Sequence, residues 1–299
     1  MAITSSRRSL ASLRISDARV VKSEPRNQSQ MDSFLASVES SQPSAASTWR
    51  EALSAWAIPD DIVNQADESP WIHPPQLFDI PPVITDSPSH ARAREAVTTG
   101  GSVLDIGCGG GIAAFALADK IQFAVGVDHQ SEMLTMFSHN GVKRGIRTEV
   151  FEGFWPAVSP AVPKCDVATA HHVVYNVGDI VPFLRAMNDH AKSRVLLELP
   201  TKHPLDNMSG LWQHFWNLSR PKEPTPETLM EVLREMGIAP NIELWDGPMR
   251  SEVDVDQAAH FTRIRLCLKA DRESEVRDFL MSQGVEQTRS LATIWWDVN

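Results

Sequence analysis

Between Ser102 and Pro200 the chain alternates short, almost wholly apolar runs with stretches of helical periodicity, and this constrains its fold more than any other feature. SVLDIG, FAVGVD, TEVFE, CDVATA and RVLLELP read as strands, and IAAFALADK, SEMLTMFSHNG and residues 179–191 read as the helices between them. Strands that are apolar on both sides of their pleat need cover on both faces. The expected architecture is therefore α/β, a doubly wound and mostly parallel sheet. Ligands of such sheets bind at the carboxyl ends of the strands, where strand order reverses. Beyond Pro200, NIELW and LATIWWDV read as two more strands, with helical patterns at 226–236, 254–268 and 272–283.

The ends are of a different kind. Residues 1–30 hold six Arg or Lys against Asp17 and Glu24, a charge of +4 in a chain whose net charge is −10, so the remainder carries −14. This tail reads as an unstructured extension, an organellar transit peptide, or an overlong start ahead of Met31. Residues 1–47 are expected to be a flexible tail and 48–86 a helical and extended cap, in which TWREALSAWAIP is helical and five X-Pro bonds fall between Pro74 and Pro88. Residues 87–299 form the main domain, opening with Ser87 as N-cap and Pro88 at the first helical position. An aromatic insert, LDNMSGLWQHFWN, falls within residues 204–224 and reads as a lid.

Several function classes are disfavoured. No apolar stretch approaches the roughly 20 residues of a membrane span, and Cys108, Cys165 and Cys267 form neither a CxxC pair nor a zinc spacing. The expectation is a soluble, cytoplasmic protein without a metal. The acidic balance lacks the clustered cations of nucleic-acid binding. A small or weakly charged ligand is favoured.

The chemistry is concentrated after the first strand. Asp105, Gly107, Gly109 and Gly111 lie between SVLDIG and a helix, where glycines let the backbone turn sharply and approach a ligand. A carboxylate at Asp105 suits a ligand ammonium and repels a pyrophosphate. Asp128 ends the next strand 17 residues after Gly111, placed to take two ribose hydroxyls. Gly109, Gly111 and Ala114 also fit a dinucleotide fingerprint, but that register puts Asp105 and Gly107 inside the strand, and starting at Gly107 it meets Ile112 where a small residue belongs.

VLDIGCGGG, VGVDHQSEML and CDVATAHHVVYNVGDIVPFLRAM resemble the class I S-adenosylmethionine-dependent methyltransferases, particularly their broad small-molecule group, over roughly residues 87–200. The resemblance implies a Rossmann-like sheet of seven strands with the last, LATIWWDV, antiparallel. It implies S-adenosyl-L-methionine as cofactor, held by Asp105, Gly107, Cys108, Gly109, Gly111, Asp128, His129, Gly153, Phe154 and His171. Family members often carry an acid after the glycine at the third strand, whereas here Phe154 and Trp155 follow Gly153. Adenine would then rest on backbone groups and an aromatic ring.

The fourth strand's exit is where this family places residues beside the transferable methyl, so His171, His172, Tyr175 and Asn176 are candidates there. His171, His172 and Tyr175 are the expected catalytic set, with His171 preferred as the base. Strand alternation keeps adjacent His171 and His172 from facing one pocket together. Glu198, Thr201 and His203 leave the fifth strand toward the same edge. His203, Trp212, Phe215 and Trp216 are expected at the acceptor and lid, although a stripe such as Trp212, Phe215 and Trp216 at this spacing is more often core packing. The activity implied is methyl transfer to a small-molecule acceptor. An RNA methyltransferase and a non-catalytic cofactor-binding protein are the alternatives, and the oligomeric state is left open.

Overall fold

The computed structural model describes residues 43–71, 80–81, 83–248, 254–283 and 288–298. The basic segment 1–30, the rest of the tail up to residue 42 and most of the Pro-rich connection lie outside the described residues. Seven strands, β1 (Gly101–Ile106), β2 (Ile121–Asp128), β3 (Arg147–Glu152), β4 (Cys165–His171), β5 (Ala191–Pro200), β6 (Asn241–Pro248) and β7 (Thr288–Asp297), form one sheet in the order β3-β2-β1-β4-β5-β7-β6. The first five run parallel, and β7 lies antiparallel between β5 and β6. The chain winds outward from β1 to β3 and returns to place β4 beside β1. In sheets of this kind such a reversal leaves a crevice for ligands, here at the carboxyl ends of β1 and β4.

Alternation along the strands splits the core in two. Leu104, Ile106, Ala168, Ala170, Val195, Leu197 and Leu199 face helices α1 (Ala45–Ser54), α6 (Ile180–His190) and α8 (Pro226–Glu235). Val103, Val167 and Leu196 face α3 (Pro88–Ala96), α4 (Ile112–Phe115) and α5 (Ser131–Lys143). Ser87 caps α3 by accepting from His90 N–H, with Pro88 at the first position. The expected helix IAAFALADK shortens to α4, because Lys120 and Ile121 N–H groups fold back onto the Leu117 carbonyl just before β2 begins.

The cap helix begins three residues earlier than expected, capped by the Ser44 side chain on Ser47 N–H. It is part of the main core: Trp49 is fully buried there and its Nε1–H donates to the Val177 carbonyl at 2.9 Å. The Glu235 carboxylate accepts Ala45 N–H at 2.9 and 3.0 Å. A boundary at residue 87 therefore cuts through the packing.

A third core is built mainly from helices. Ile58 and Ile62 of α2 (Asp60–Val63) and its flank, Met208, Leu211 and Trp212 at α7 (Ser209–Trp216), Ala259 of α9 (Val255–Arg265) and Val276 of α10 (Glu273–Gln283) share it. Buried Arg263 ties it together, bonding Glu273 at 3.0 Å, Glu68 at 2.7 Å and the Leu268 carbonyl at 3.0 Å. Among the described residues no helix is long and apolar enough to cross a membrane.

Candidate active site

The glycine loop after β1 is closed by its own backbone, by the end of β2 and by a side chain of α5. Gly107 and Cys108 N–H groups donate to the Val127 carbonyl, Gly111 N–H to the Cys108 carbonyl, and Asn140 Nδ2 of α5 to the Gly110 carbonyl at 3.0 Å. Gly107 (φ +66°) and Gly111 (φ +93°) adopt left-handed backbone, and a Cβ on Gly107 would lie 2.5 Å from Val173 Cγ2. The exit loop of β4 thus packs directly on the cradle. Asp105 sits beneath the loop, 1% exposed, and accepts Ala114 N–H at 3.3 Å, which caps α4. Burial pushes its carboxyl well above the ordinary range, a direction that Ala114 N–H opposes and nearby Asp128 reinforces. Its observed contact is with the first turn of α4, and it anchors the helix that follows the cradle from below. Cys108 is also buried, its Sγ against the face of Gly126.

Asp128 ends β2 with one carboxylate oxygen accepting Gly109 N–H at 3.1 Å and the other accepting Gln130 N–H at 3.0 Å. Each oxygen keeps a second acceptor site, so the side chain can both brace the loop and bind a diol. At the ends of β2 and β3, His129 and Phe154 stack at 4.9 Å between centroids, 18° from parallel. Phe154 is 70% exposed, a flat apolar face held at the edge of the crevice. Gly153, at φ +142°, turns the chain so that Phe154 leaves the strand; a Cβ there would strike Val158.

Across the crevice lies a buried polar cluster. His171 and Glu198 are register partners on β4 and β5, and Glu198 and Thr293 on β5 and β7, so the three occupy one face of the sheet. Glu198 Oε1 is 3.0 Å from His172 Nε2 and 3.8 Å from His171 Nδ1. From α3, His90 stacks on His171 at 5.7 Å, and Ser89 Oγ lies 2.6 Å from Thr293 Oγ1. Arg289 Nη2 stands 3.2 Å from His172 Nε2. Burial alone would raise the Glu198 pKa, but the charge of His171, the hydrogen bond and charge of His172 and the Ser89 hydroxyl hold it well below the usual carboxylate range. His90 goes the other way, pushed down to about 4 by burial and by the His171 charge.

Other expected residues are placed differently. Tyr175 packs between Trp49 and His203, and its hydroxyl donates to the Pro200 carbonyl at 2.9 Å, so it serves the packing of the β4 exit in place of acceptor chemistry. Val174 to Asn176 form a short turn in which Asn176 N–H donates to the Val173 carbonyl. His203 stacks on Trp56 at 4.0 Å and its Nδ1 accepts Leu205 N–H at 3.2 Å; burial pushes its pKa down to about 4. Thr201 is tied to the Ser290 carbonyl. Trp212, Phe215 and Trp216 are consumed by the helical core, Trp216 Nε1 donating to the Leu266 carbonyl at 2.8 Å. The stripe is packing, because the insert meets α9 and α10 over that face.

Residues that the sequence did not single out are Asn140, Ser89, His90, Thr293 and Arg289. Their only local signal was polarity at positions that helical or strand periodicity assigns to a core face.

The donor set suits S-adenosylmethionine: a glycine cradle with left-handed turns, an acid at the end of β2 with acceptor sites to spare, and an exposed aromatic face beside it. Residues 103–194 match the family model described as a methyltransferase domain. A curated relative from Azorhizobium caulinodans, a ubiquinone biosynthesis O-methyltransferase, is 34% identical over 83 residues, 28% of this chain and 33% of that protein. The matched region thus spans about a third of the relative's length. Among solved structures, a cyclopropane-fatty-acyl-phospholipid synthase-like protein from Lactobacillus casei aligns with a TM-score of 0.48 and 17% identity over 79% of this chain and 98% of its own. A methyltransferase from Thiobacillus denitrificans in complex with S-adenosyl-L-homocysteine aligns at 0.45 and 15% over 81% and 99%.

Proposed function

We propose, on the premise that residues 103–194 are a methyltransferase domain of the class I S-adenosylmethionine-dependent type, that this chain methylates a small-molecule acceptor. The observation that carries the reading is the meeting, at the β1/β4 reversal, of a glycine cradle braced by Asp128 with the His171, His172 and Glu198 cluster. The bound cofactor supplies a methyl on a cationic sulfur that departs with the bond's electron pair as a neutral thioether. Every other task falls to the chain. Asp128 takes the ribose hydroxyls, the backbone of Gly107 to Gly111 holds the amino-acid end, and Phe154 with His129 offers a stacking face for adenine. Helix α3 and the β4 exit loop keep water from the reacting atoms, and an imidazole at His171 or His172 takes the acceptor's proton.

A hydroxyl acceptor fits best, because it must lose a proton and the cluster provides groups to remove it; the name of the Azorhizobium relative agrees. The charge of −10 favours a small metabolite over RNA as the acceptor. Titration calorimetry tests the reading. Wild type should bind S-adenosylhomocysteine in the micromolar range, about −8 kcal/mol, and absence of heat would end it.

A further inference from the structure

A buried donor without an acceptor is uncommon in folded chains. Two such donors belong to neighbouring side chains beyond β5. Trp212 of α7 is 2% exposed, and its indole Nε1–H, which can only donate, meets no acceptor among the described residues. Arg220, in the link between α7 and α8, lies with its Cζ 5.3 Å from the centre of the Trp212 ring and 5.1 Å from that of Trp56. Its Nε–H is buried and likewise unmet.

The polar groups around this pair are already engaged. The Nη groups of Arg220 donate to the Trp56 and Ala57 carbonyls, and burial lowers its pKa with no carboxylate opposing the shift. Arg263, buried in the same helical core, has both Glu68 and Glu273. Trp56 Nε1–H donates to the Glu223 carbonyl at 2.7 Å, and the Glu223 carboxylate accepts the Thr228 hydroxyl at 3.0 Å. His203, stacked on Trp56 at 4.0 Å, supplies no acceptor either: its Nδ1 already takes Leu205 N–H at 3.2 Å, which leaves the proton of the neutral ring on Nε2.

We propose that Arg220 and Trp212 form a binding subsite for the carboxylate of a small organic acid. A carboxylate brings the charge that Arg220 lacks and two oxygens, each able to accept more than one N–H. The guanidinium edge suits its planar, paired geometry, and Trp212 Nε1–H adds a neutral donor. Water meets donors but brings no charge. The Trp56 and Trp212 rings beside the guanidinium favour an acid with an apolar or planar body. The subsite lies beyond the exit of β5 and is joined to the turn after β4 through His203, which packs edge-on against Tyr175 at 5.3 Å. It draws on no residue of the cofactor cradle, so it goes beyond the methyltransferase reading and stands or falls separately.

Indole ¹H–¹⁵N NMR of the full chain tests this, with the Trp212 signal assigned and with benzoate and benzamide, alike in shape and unlike in charge, as the probes. At constant ionic strength benzoate should move the Trp212 Nε1–H signal and bind at least about tenfold more tightly than benzamide, the modest worth of a charge-assisted pair. Arg220→Gln should abolish that preference, and Arg220→Lys, which keeps the charge without the fork, should retain part of it. A Trp212 signal that neither probe moves, equal affinity for the two probes, or a preference that survives Arg220→Gln overturns the proposal. If the Gln variant does not fold, the wild-type comparison alone decides. S-adenosylhomocysteine binding by wild type, measured separately, bears only on the methyltransferase reading.

Discussion

The two sides of the crevice are built by different means. The β1-β2-β3 side holds its ligand groups through main chain: Gly107, Gly109 and Gly111 turn the loop, and Asp128 braces it through Gly109 N–H. The β4-β5-β7 side relies on side chains from four separated stretches, with Ser89 and His90 from α3, His171 and His172 at the end of β4, Glu198 on β5, and Arg289 and Thr293 on β7. A site made of backbone needs a short motif. One made of side chains from distant segments needs the whole fold first, and it can change its acceptor without disturbing the cofactor.

The largest expected effect tests whether the acceptor side depends on the cap. Trp49→Ala removes a fully buried ring and its bond to Val177, and should cost about 3–5 kcal/mol, a fall of roughly 10 °C in a calorimetric melt of a chain this size. A change under 2 °C would make α1 a detachable cap. The second concerns acid. The folded pKa of His90 is about 4 against 6.5 for the free side chain, so the unfolded chain binds a proton that the folded one refuses. Stability is whole above about pH 6.5 and declines by about 3 kcal/mol as pH falls toward 4. Urea melts across that window should show the slope, and His90→Gln should flatten it. His203, held low chiefly by burial, adds to the same slope.

On the cofactor side the effects are smaller and fall on binding. Asp128→Ala should weaken S-adenosylhomocysteine by about 10- to 100-fold, the worth of hydrogen bonds to a charged group; calorimetry giving an unchanged affinity would move the ribose elsewhere. Phe154→Ala should weaken it by about fivefold, since stacking on so exposed a ring is worth about 1 kcal/mol. It should leave the melt within about 0.5 kcal/mol. Equal affinity in this variant would make the His129 and Phe154 pair a surface contact only.

The same contrast explains what could be read in advance. The strands were legible because their apolar runs exceed what one exposed face allows, and the cradle because glycines, Asp105 and Asp128 lie within 24 residues of one another. The position of the Asp105 carboxylate was not legible, since a strand-end acid can face a ligand or cap its own loop, and only the three-dimensional path of α4 decides. Joint use of His171 and His172 was hidden because alternation forbids it and a single positive φ permits it. Tyr175 misled, and the Trp212, Phe215 and Trp216 stripe stayed open between lid and core, for one reason: an aromatic residue near a crevice looks the same in sequence whether it faces the crevice or the helices beneath.

The third core has a temporal meaning. Its parts come from Ile58 and Ile62, from Met208 to Trp212, and from Ala259 to Val276, segments roughly 50 to 150 residues apart along the chain. None of them can bury its apolar face alone, so their docking waits until the sheet has set its ends in place. The unit should therefore assemble last and open first, as one cooperative block whose amides exchange with solvent together while those of β1 and β4 stay protected.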